Sequence, residues 1–118
     1  MKKILIIEDD YDIAQLLKLN LKAEGYDVII ATNGEKGVEI ARKIRPNIVT
    51  LDILFPTGKS GFEILKEWLN DNKLKDIPVL VISIVNEDEI RKISKDINYL
   101  SKPIDFEKLN FRIRNLLN

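Results

Sequence analysis

The sequence contains no cysteine and no histidine, and each absence excludes a kind of site. Without cysteine, the chain can form neither a disulfide nor a thiolate metal centre, which fits a reducing compartment. Without histidine, it has no imidazole base and no imidazole metal ligand, so any metal ion must be bound by oxygen atoms. The formal net charge of zero gives no indication of nucleic acid or an acidic membrane as a partner.

Long hydrophobic runs are absent as well. The apolar run at residues 4–7 stops at three acids, which the hydrophobic region of a signal peptide does not tolerate. No segment is long enough to span a membrane. With 118 residues, of which 45% are hydrophobic and 32% charged, we expect one globular domain over residues 1–118 that contains no output domain. The expected location is the cytoplasm.

Short apolar runs alternate along the chain with longer segments of helical period. The runs lie at residues 3–7, 27–31, 47–51, 78–82 and 98–101. Such alternation is typical of βα units around a parallel sheet that is buried on both faces. It predicts five strands and five helices in an α/β/α sandwich, because right-handed crossovers place helices on both sides of the sheet. The residues predicted from the pattern to cap helices are Ser60, with Glu63 as its capping-box partner, and Asp105.

Polar side chains follow the predicted strands at the points where the strands end. In chain order they are Glu8, Asp9, Asp10, Asp52, Ser83 and Lys102. Ligands of a doubly wound sheet bind outside the carboxyl ends of its strands, so we expect these side chains to form one site. Carboxylates that meet there need a cation, and a set of oxygen donors favours Mg²⁺ or Mn²⁺. With an amine and a hydroxyl nearby, the set suits phosphoryl transfer to the carboxylate of Asp52.

These motifs resemble the receiver domain of bacterial and archaeal response regulators. The matching segments are residues 4–10, residues 49–52 with Pro56 and Gly61 beyond them, residues 81–83 and residues 99–103. The resemblance covers essentially the whole chain and implies a doubly wound, five-stranded parallel sheet with strand order 2-1-3-4-5. It also implies a two-component signalling protein that receives a phosphoryl group from a histidine kinase or a phosphotransfer protein. Such a protein acts on an output domain or a target protein, and catalyses only its own phosphorylation and dephosphorylation.

The resemblance assigns roles around the phosphoacceptor. Asp52 would accept the phosphoryl group, Lys102 would pair with that group, and Ser83 would be the switch hydroxyl. Tyr99 would change rotamer with the switch, and Pro103 would follow a cis peptide bond.

The metal ligands are likewise implied by the resemblance. Asp9, Asp52 and the backbone carbonyl of Leu54 would bind Mg²⁺, and Glu8 would hold it through a water molecule. Asp10 lies one place beyond the family's acid pair, so we interpret it as the cap of the first helix.

The sequence departs from the family pattern in two segments. The loop between Asp52 and Gly61 is longer than usual and carries Gly58 and Lys59 where methionine and aspartate are common. The sequence does not define the shape of this loop, and we still expect the site to bind a metal ion. The segment before the last strand is shorter than usual, which predicts a short or irregular fourth helix. This helix belongs to the expected output face.

The family's output face also serves for dimerisation in one subfamily. Residues 111–117 resemble that group, but Asn98 and Lys108 stand where acidic partners of ion pairs are expected. A homodimer through the fourth helix, fifth strand and fifth helix therefore stays open. The chain is expected to be either a stand-alone receiver or the front part of a longer regulator.

Two other functions compete with the phosphoacceptor. A flavin-binding module of the same topology would need a phosphate loop rich in glycine and hydroxyls after the first strand, where this chain has three acids. The second alternative is a degenerate receiver that acts as a phosphorylation-independent interaction module. The shortened fourth helix and Ile84, at a position where the family prefers alanine, leave it open. The set Asp9, Asp52, Ser83 and Lys102 argues against it.

Overall fold

A computed structural model describes all 118 residues as five strands and five helices in strict alternation. The strands are β1 (Lys3–Ile7), β2 (Asp27–Ala31), β3 (Ile48–Leu51), β4 (Val79–Ser83) and β5 (Asn98–Ser101). The helices are α1 (Tyr11–Ala23), α2 (Gly34–Ile44), α3 (Gly61–Asn70), α4 (Glu87–Arg91) and α5 (Phe106–Leu117). None of these helices is both long enough and apolar enough to cross a membrane.

The strands form one parallel sheet in the order β2-β1-β3-β4-β5, which confirms the predicted order. The chain moves outwards from β1 to β2 in one direction and from β3 to β5 in the other. The strand order therefore reverses between β1 and β3, and ligands of such sheets bind outside the carboxyl ends of the strands at this point. β3 and β4 each begin one residue later than predicted, at Ile48 and Val79, because strand ends are the least definite part of a pattern.

The central strand β1 supplies both hydrophobic cores. Leu5 and Ile7 belong to the larger core, together with buried residues of α2, α3 and α4. Ile4 and Ile6 belong to the smaller core, which α1 and α5 cover from the other side. Successive side chains of a strand point to opposite faces, so an uninterrupted apolar run is what a strand between two helical layers requires.

Trp68 of α3 is fully buried in the larger core. Its indole N–H donates a hydrogen bond to the carbonyl oxygen of Ile77 at 3.2 Å. A buried indole N–H without an acceptor would cost about 1–3 kcal/mol, so this bond is part of the packing. It ties α3 to the segment that leads into β4.

The three predicted helix caps are confirmed. The carboxylate of Asp10 accepts the backbone N–H of Ile13 at 3.1 Å and so begins α1. Ser60 accepts the N–H of Glu63 at 3.2 Å, and the carboxylate of Glu63 accepts the N–H of Ser60 at 3.4 Å, which completes the predicted capping box of α3. Asp105 accepts two backbone N–H groups in the first turn of α5.

The fourth helix is short, as predicted, with only five residues. Its last residue, Arg91, makes an ion pair with Glu87 at 2.6 Å and donates hydrogen bonds to the carbonyl oxygens of Lys95 at 2.7 Å and Ile97 at 3.2 Å. These bonds join α4 to the segment that enters β5. The Arg91 side chain therefore holds the shortened connection together with backbone hydrogen bonds, such as that from the N–H of Ile93 to the carbonyl oxygen of Ile90 at 3.0 Å.

Candidate phosphoacceptor and metal site

Three predicted carboxylates meet at the carboxyl edge of the sheet. Glu8 and Asp9 follow β1 and Asp52 follows β3, so two neighbouring parallel strands deliver them to the same place. One oxygen from each lies within 4.8 Å of the other two. Glu8 and Asp52 are buried, whereas Asp9 is exposed. All donor atoms of the cluster are oxygens, and the exposed carboxylate of Asp9 leaves one side of it accessible. Oxygen donors of this kind are those that Mg²⁺ prefers.

Lys102 brings a positive charge between the two buried carboxylates. Its ammonium nitrogen lies 2.8 Å from Oε1 of Glu8 and 3.4 Å from Oδ2 of Asp52. Lys102 follows β5, which is separated from β3 by β4. The backbone N–H of Lys102 donates to the carbonyl oxygen of Ser83 at 3.0 Å, and this bond fixes the position of the Lys102 backbone beside β4. The nearer partner is Glu8, a pairing that does not follow from the sequence pattern.

The buried ion pair shifts the pKa values of its members. Burial, reinforced by the negative charge of Asp52, raises the pKa of Glu8 to about 7, because these effects outweigh the hydrogen bond from Lys102. Burial acts against the ammonium of Lys102, but its hydrogen bond and charge interaction with Glu8 and the charge of Asp52 raise its pKa above the usual value. The cluster therefore retains the ammonium and takes up a proton at Glu8 near neutral pH.

This titration predicts how the stability of the metal-free protein depends on pH. The unfolded chain releases the proton of Glu8 near pH 4.5, whereas the folded protein holds it up to about pH 7. Between these values the folded state binds more protons, so the free energy of unfolding should fall as pH rises. Urea denaturation in the presence of a chelator, at several pH values across this window, measures the slope. A Glu8→Gln variant should show a flatter profile, and an equal slope in both proteins would contradict the assignment.

The two oxygens of Asp52 have different surroundings. Oδ1 accepts the backbone N–H groups of Ile53 at 2.7 Å and Leu54 at 3.4 Å. Oδ2 faces Lys102. Oδ1 therefore orients the carboxylate through backbone N–H groups, whereas Oδ2 is directed towards the lysine side chain. The backbone of Leu54 is brought beside the carboxylate by the same contact, at the place where the sequence predicts a metal-ligating carbonyl.

The loop that follows Asp52 is closed tightly at its base. The backbone N–H of Gly61 donates to the carbonyl oxygen of Ile53 at 2.8 Å. A Cβ atom at Gly61 would lie 2.3 Å from Cα of Ile53 and 2.5 Å from the carbonyl oxygen of Asp52. Glycine is required here because the start of α3 touches the backbone of the site.

Ser83 and Tyr99 form a second connected pair. Ser83 is completely buried, and its hydroxyl oxygen accepts the backbone N–H of Val85 at 3.2 Å. The Tyr99 side chain is also buried, and its O–H donates to the carbonyl oxygens of Ser83, at 3.1 Å, and of Val85. The peptide bond between Lys102 and Pro103 is cis, as predicted. The segment after β4 is thus linked directly to the aromatic ring on β5.

The side chain of Ile84 lies at the surface and is 69% exposed. It does not displace Ser83, whose hydroxyl keeps its place in the buried interior. The side chain of Ile84, one of the two features that left the degenerate alternative open, therefore lies outside the buried interior that contains Ser83.

The fold is a doubly wound parallel sheet, and its carboxyl edge carries an acid cluster, a hydroxyl and an amine. Together these features define a class of signalling domain. The sequence profile of the response regulator receiver domain matches residues 4–114, and the chain belongs to this family. The resemblance found in the sequence is confirmed. As a receiver domain the chain is a module of two-component signalling, a class that is generally non-enzymatic.

Among curated relatives, the DNA-binding dual master transcriptional regulator RpaA of Synechocystis is 37% identical over 99% of this chain and 49% of its own length. The transcriptional regulatory protein PhoP of Bacillus subtilis is 32% identical over 98% of this chain and 48% of its own length. The chain thus spans about half the length of these relatives. The chemotaxis protein CheY4 of Vibrio cholerae has a similar structure, with a TM-score of 0.89, 27% identity and 99% coverage of both chains.

Proposed function

We propose that this receiver domain accepts a phosphoryl group on Asp52 from a histidine kinase or a phosphotransfer protein, in a reaction that requires Mg²⁺ or Mn²⁺. The observation that carries the proposal is the meeting of three carboxylates within 4.8 Å with an ammonium 3.4 Å from Oδ2 of Asp52. An incoming phosphoryl group would find a nucleophile and opposite charges at one place. The degenerate alternative would leave this costly buried cluster without a use.

The metal ion would be held by the exposed carboxylate of Asp9, by Asp52 and by the backbone carbonyl of Leu54, with Glu8 as a more distant support. The fit rests on donor chemistry, since every candidate ligand is an oxygen and the cluster is open on the side of Asp9. When bound, the ion would neutralise charge on the phosphoryl oxygens. Its binding would also favour the ionised form of Glu8.

In the transfer step, Oδ2 of Asp52 would form a bond to phosphorus while the bond from phosphorus to the donor group breaks and its electron pair leaves with the donor. Lys102 would shift from Glu8 towards the phosphoryl oxygens, a short movement because it already lies 3.4 Å from Oδ2. Ser83 would exchange its contact with the N–H of Val85 for a hydrogen bond to a phosphoryl oxygen. Tyr99, bonded to the same segment, would follow this change.

Signal output would leave the domain through the face formed by α4, β5 and α5. Tyr99 on β5 contacts the carboxyl end of β4, and the guanidinium of Arg112 on α5 donates to the carbonyl oxygen of Tyr99 at 3.2 Å. Movement at Ser83 would therefore reach α5 through two direct contacts. The partner would be an output domain, a separate target protein or a second copy of the chain.

The proposal predicts a single phosphorylation that depends on Asp52. Incubation with acetyl phosphate and Mg²⁺ should add the mass of one phosphoryl group to the intact protein. The Asp52→Asn variant should add none, because an amide cannot act as the nucleophile. Asp9→Asn should reduce the extent strongly, since it removes an exposed metal ligand.

Circular dichroism of each variant serves as the control for folding. Phosphorylation of folded Asp52→Asn to the wild-type level would refute the proposed phosphoacceptor. Absence of modification in the wild-type protein, together with no binding of beryllofluoride in the presence of Mg²⁺, would favour the phosphorylation-independent interaction module.

A further inference from the structure

The loop after Asp52 is attached at its far end as well as at its base. Gly58 adopts a left-handed conformation with φ of 75°, which turns the chain back towards α3. The next residue, Lys59, then contacts two acidic side chains from different helices. Its backbone N–H donates to Oε1 of Glu35 at 3.3 Å, and its ammonium makes an ion pair with Glu67. We name Lys59, Glu35 and Glu67 the lysine clamp.

The two acids of the lysine clamp stand on elements that are packed against each other. Glu35 lies in the first turn of α2, and Glu67 lies in α3. A Cβ atom at Gly34 would lie 2.3 Å from Cγ1 of Ile64, so the start of α2 rests directly on α3. This close approach fixes the spacing of the two helices that carry Glu35 and Glu67. The clamp therefore attaches residue 59 to α2 through its backbone N–H and to α3 through its ammonium group.

The segment between the base of the loop and the lysine clamp contains Leu54, whose carbonyl is the proposed metal ligand. The N–H of Leu54 lies 3.4 Å from Oδ1 of Asp52, so the residue whose carbonyl is the proposed ligand also contacts the carboxylate. Rotation about the φ and ψ angles of Leu54 would change the direction of its carbonyl relative to Asp52. The side chain of Leu54 is 48% exposed and gives little packing of its own to hold the backbone. Phe55, the next residue, packs against the larger core, and the attachments at the two ends of the loop add to that order.

We propose that Lys59 is a positioning residue of the metal site, which acts by holding the loop so that the Leu54 carbonyl faces the cation. This inference rests on the proposed function, because it concerns the same Mg²⁺ site. Lys59 itself does not touch the site. Its contacts with Glu35 and Glu67 bias the loop towards the conformation that binds Mg²⁺, and Mg²⁺ must in turn favour the clamped loop.

The direction in which Lys59→Met changes the Mg²⁺ affinity distinguishes a positioning role of Lys59 from an effect of its charge alone. Loss of a cation from the surface would by itself strengthen the binding of a divalent cation, because repulsion is removed. Loss of positioning would weaken it. We expect Mg²⁺ binding, measured by isothermal titration calorimetry, to be about three- to fivefold weaker in Lys59→Met, the range that an exposed ion pair can supply. Lys59→Arg should retain the wild-type affinity.

Lys92→Met is the matched control, because Lys92 also pairs with a surface acid, Glu89 at 2.9 Å. It loses the same charge without touching the loop, so its Mg²⁺ affinity should be equal to or slightly above that of the wild-type protein. At about 1 M KCl, where the screening length is about 3 Å, the difference between wild type and Lys59→Met should largely disappear. Backbone amides of residues 53–59, apart from Pro56, should exchange hydrogen faster in Lys59→Met and at the wild-type rate in Lys92→Met.

Two failures can be told apart. A wild-type protein that does not bind Mg²⁺ would overturn the proposed function together with this inference. Wild-type binding with an equal or higher affinity in folded Lys59→Met would overturn only the role of Lys59. Equal weakening in Lys59→Met and Lys92→Met would do the same, because it would assign the effect to net charge.

Discussion

Replacement of Gly61 by alanine should destabilise the protein by at least about 2 kcal/mol and abolish its Mg²⁺ binding, because the added methyl group overlaps backbone atoms. The new Cβ would lie 2.3 Å from Cα of Ile53 and 2.7 Å from its carbonyl oxygen. Backbone cannot rotate away as a side chain can, so α3 or the loop must move. Either movement also displaces Asp52 and Leu54. Urea denaturation followed by circular dichroism and calorimetry with Mg²⁺ would measure the two effects.

Gly25→Ala provides the matched control for this experiment. Gly25 follows α1 with φ of 97°, and a Cβ there would meet no atom within 4 Å. Its replacement should cost about 1–2 kcal/mol through backbone strain alone and leave Mg²⁺ binding unchanged. Wild-type Mg²⁺ affinity in Gly61→Ala would contradict the claim that the start of α3 defines the geometry of the site.

Replacement of Lys102 by methionine should destabilise the metal-free protein by about 2 kcal/mol above neutral pH, since the buried carboxylates of Glu8 and Asp52 lose their counter-ion. The ammonium is within 2.8 Å of Glu8 and 3.4 Å of Asp52, and its side chain is only 14% exposed. The loss should become smaller near pH 5, where the Glu8 carboxyl is protonated in the folded protein. Denaturation at both pH values, with chelator present, tests the prediction.

A double-mutant cycle isolates the part of this effect that comes from the pair. Glu8→Gln combined with Lys102→Met removes both charges, and the double variant should be more stable than Lys102→Met alone above neutral pH. Strict additivity of the two single changes would show that Lys102 does not stabilise Glu8. Mg²⁺ should also restore part of the stability of Lys102→Met, because a cation near Asp9 and Asp52 replaces the missing charge.

The position of the candidate site was predictable because it follows from the topology. Parallel strands bring their carboxyl ends to one edge, so Asp9, Asp52, Ser83 and Lys102 could be placed together from their sequence positions alone. The caps at Asp10 and other helix starts were predictable for a local reason, since a cap and its N–H partner lie within three residues of each other.

Contacts that depend on the distances between helices and strands far apart in the sequence were not predictable in the same way. The ammonium of Lys102 reaches Glu8 more closely than Asp52, a preference that depends on distances of less than one ångström between strand ends. The contacts of Lys59 with Glu35 and Glu67 depend on the packing of α2 on α3, for which Gly34 gives no signal in the sequence. Charged residues on different elements have no sequence spacing that would indicate their partners, unlike pairs within one helix such as Glu87 and Arg91.

The burial of Trp68 supplies an optical probe within the native sequence. It is the only tryptophan of the chain, and its indole ring is shielded from water and hydrogen-bonded to the carbonyl oxygen of Ile77. Its emission should therefore lie at short wavelength in the folded protein and shift to longer wavelength when water reaches the ring. Because Trp68 lies on α3, the helix that begins at Gly61, its fluorescence would report on this part of the molecule without any added label.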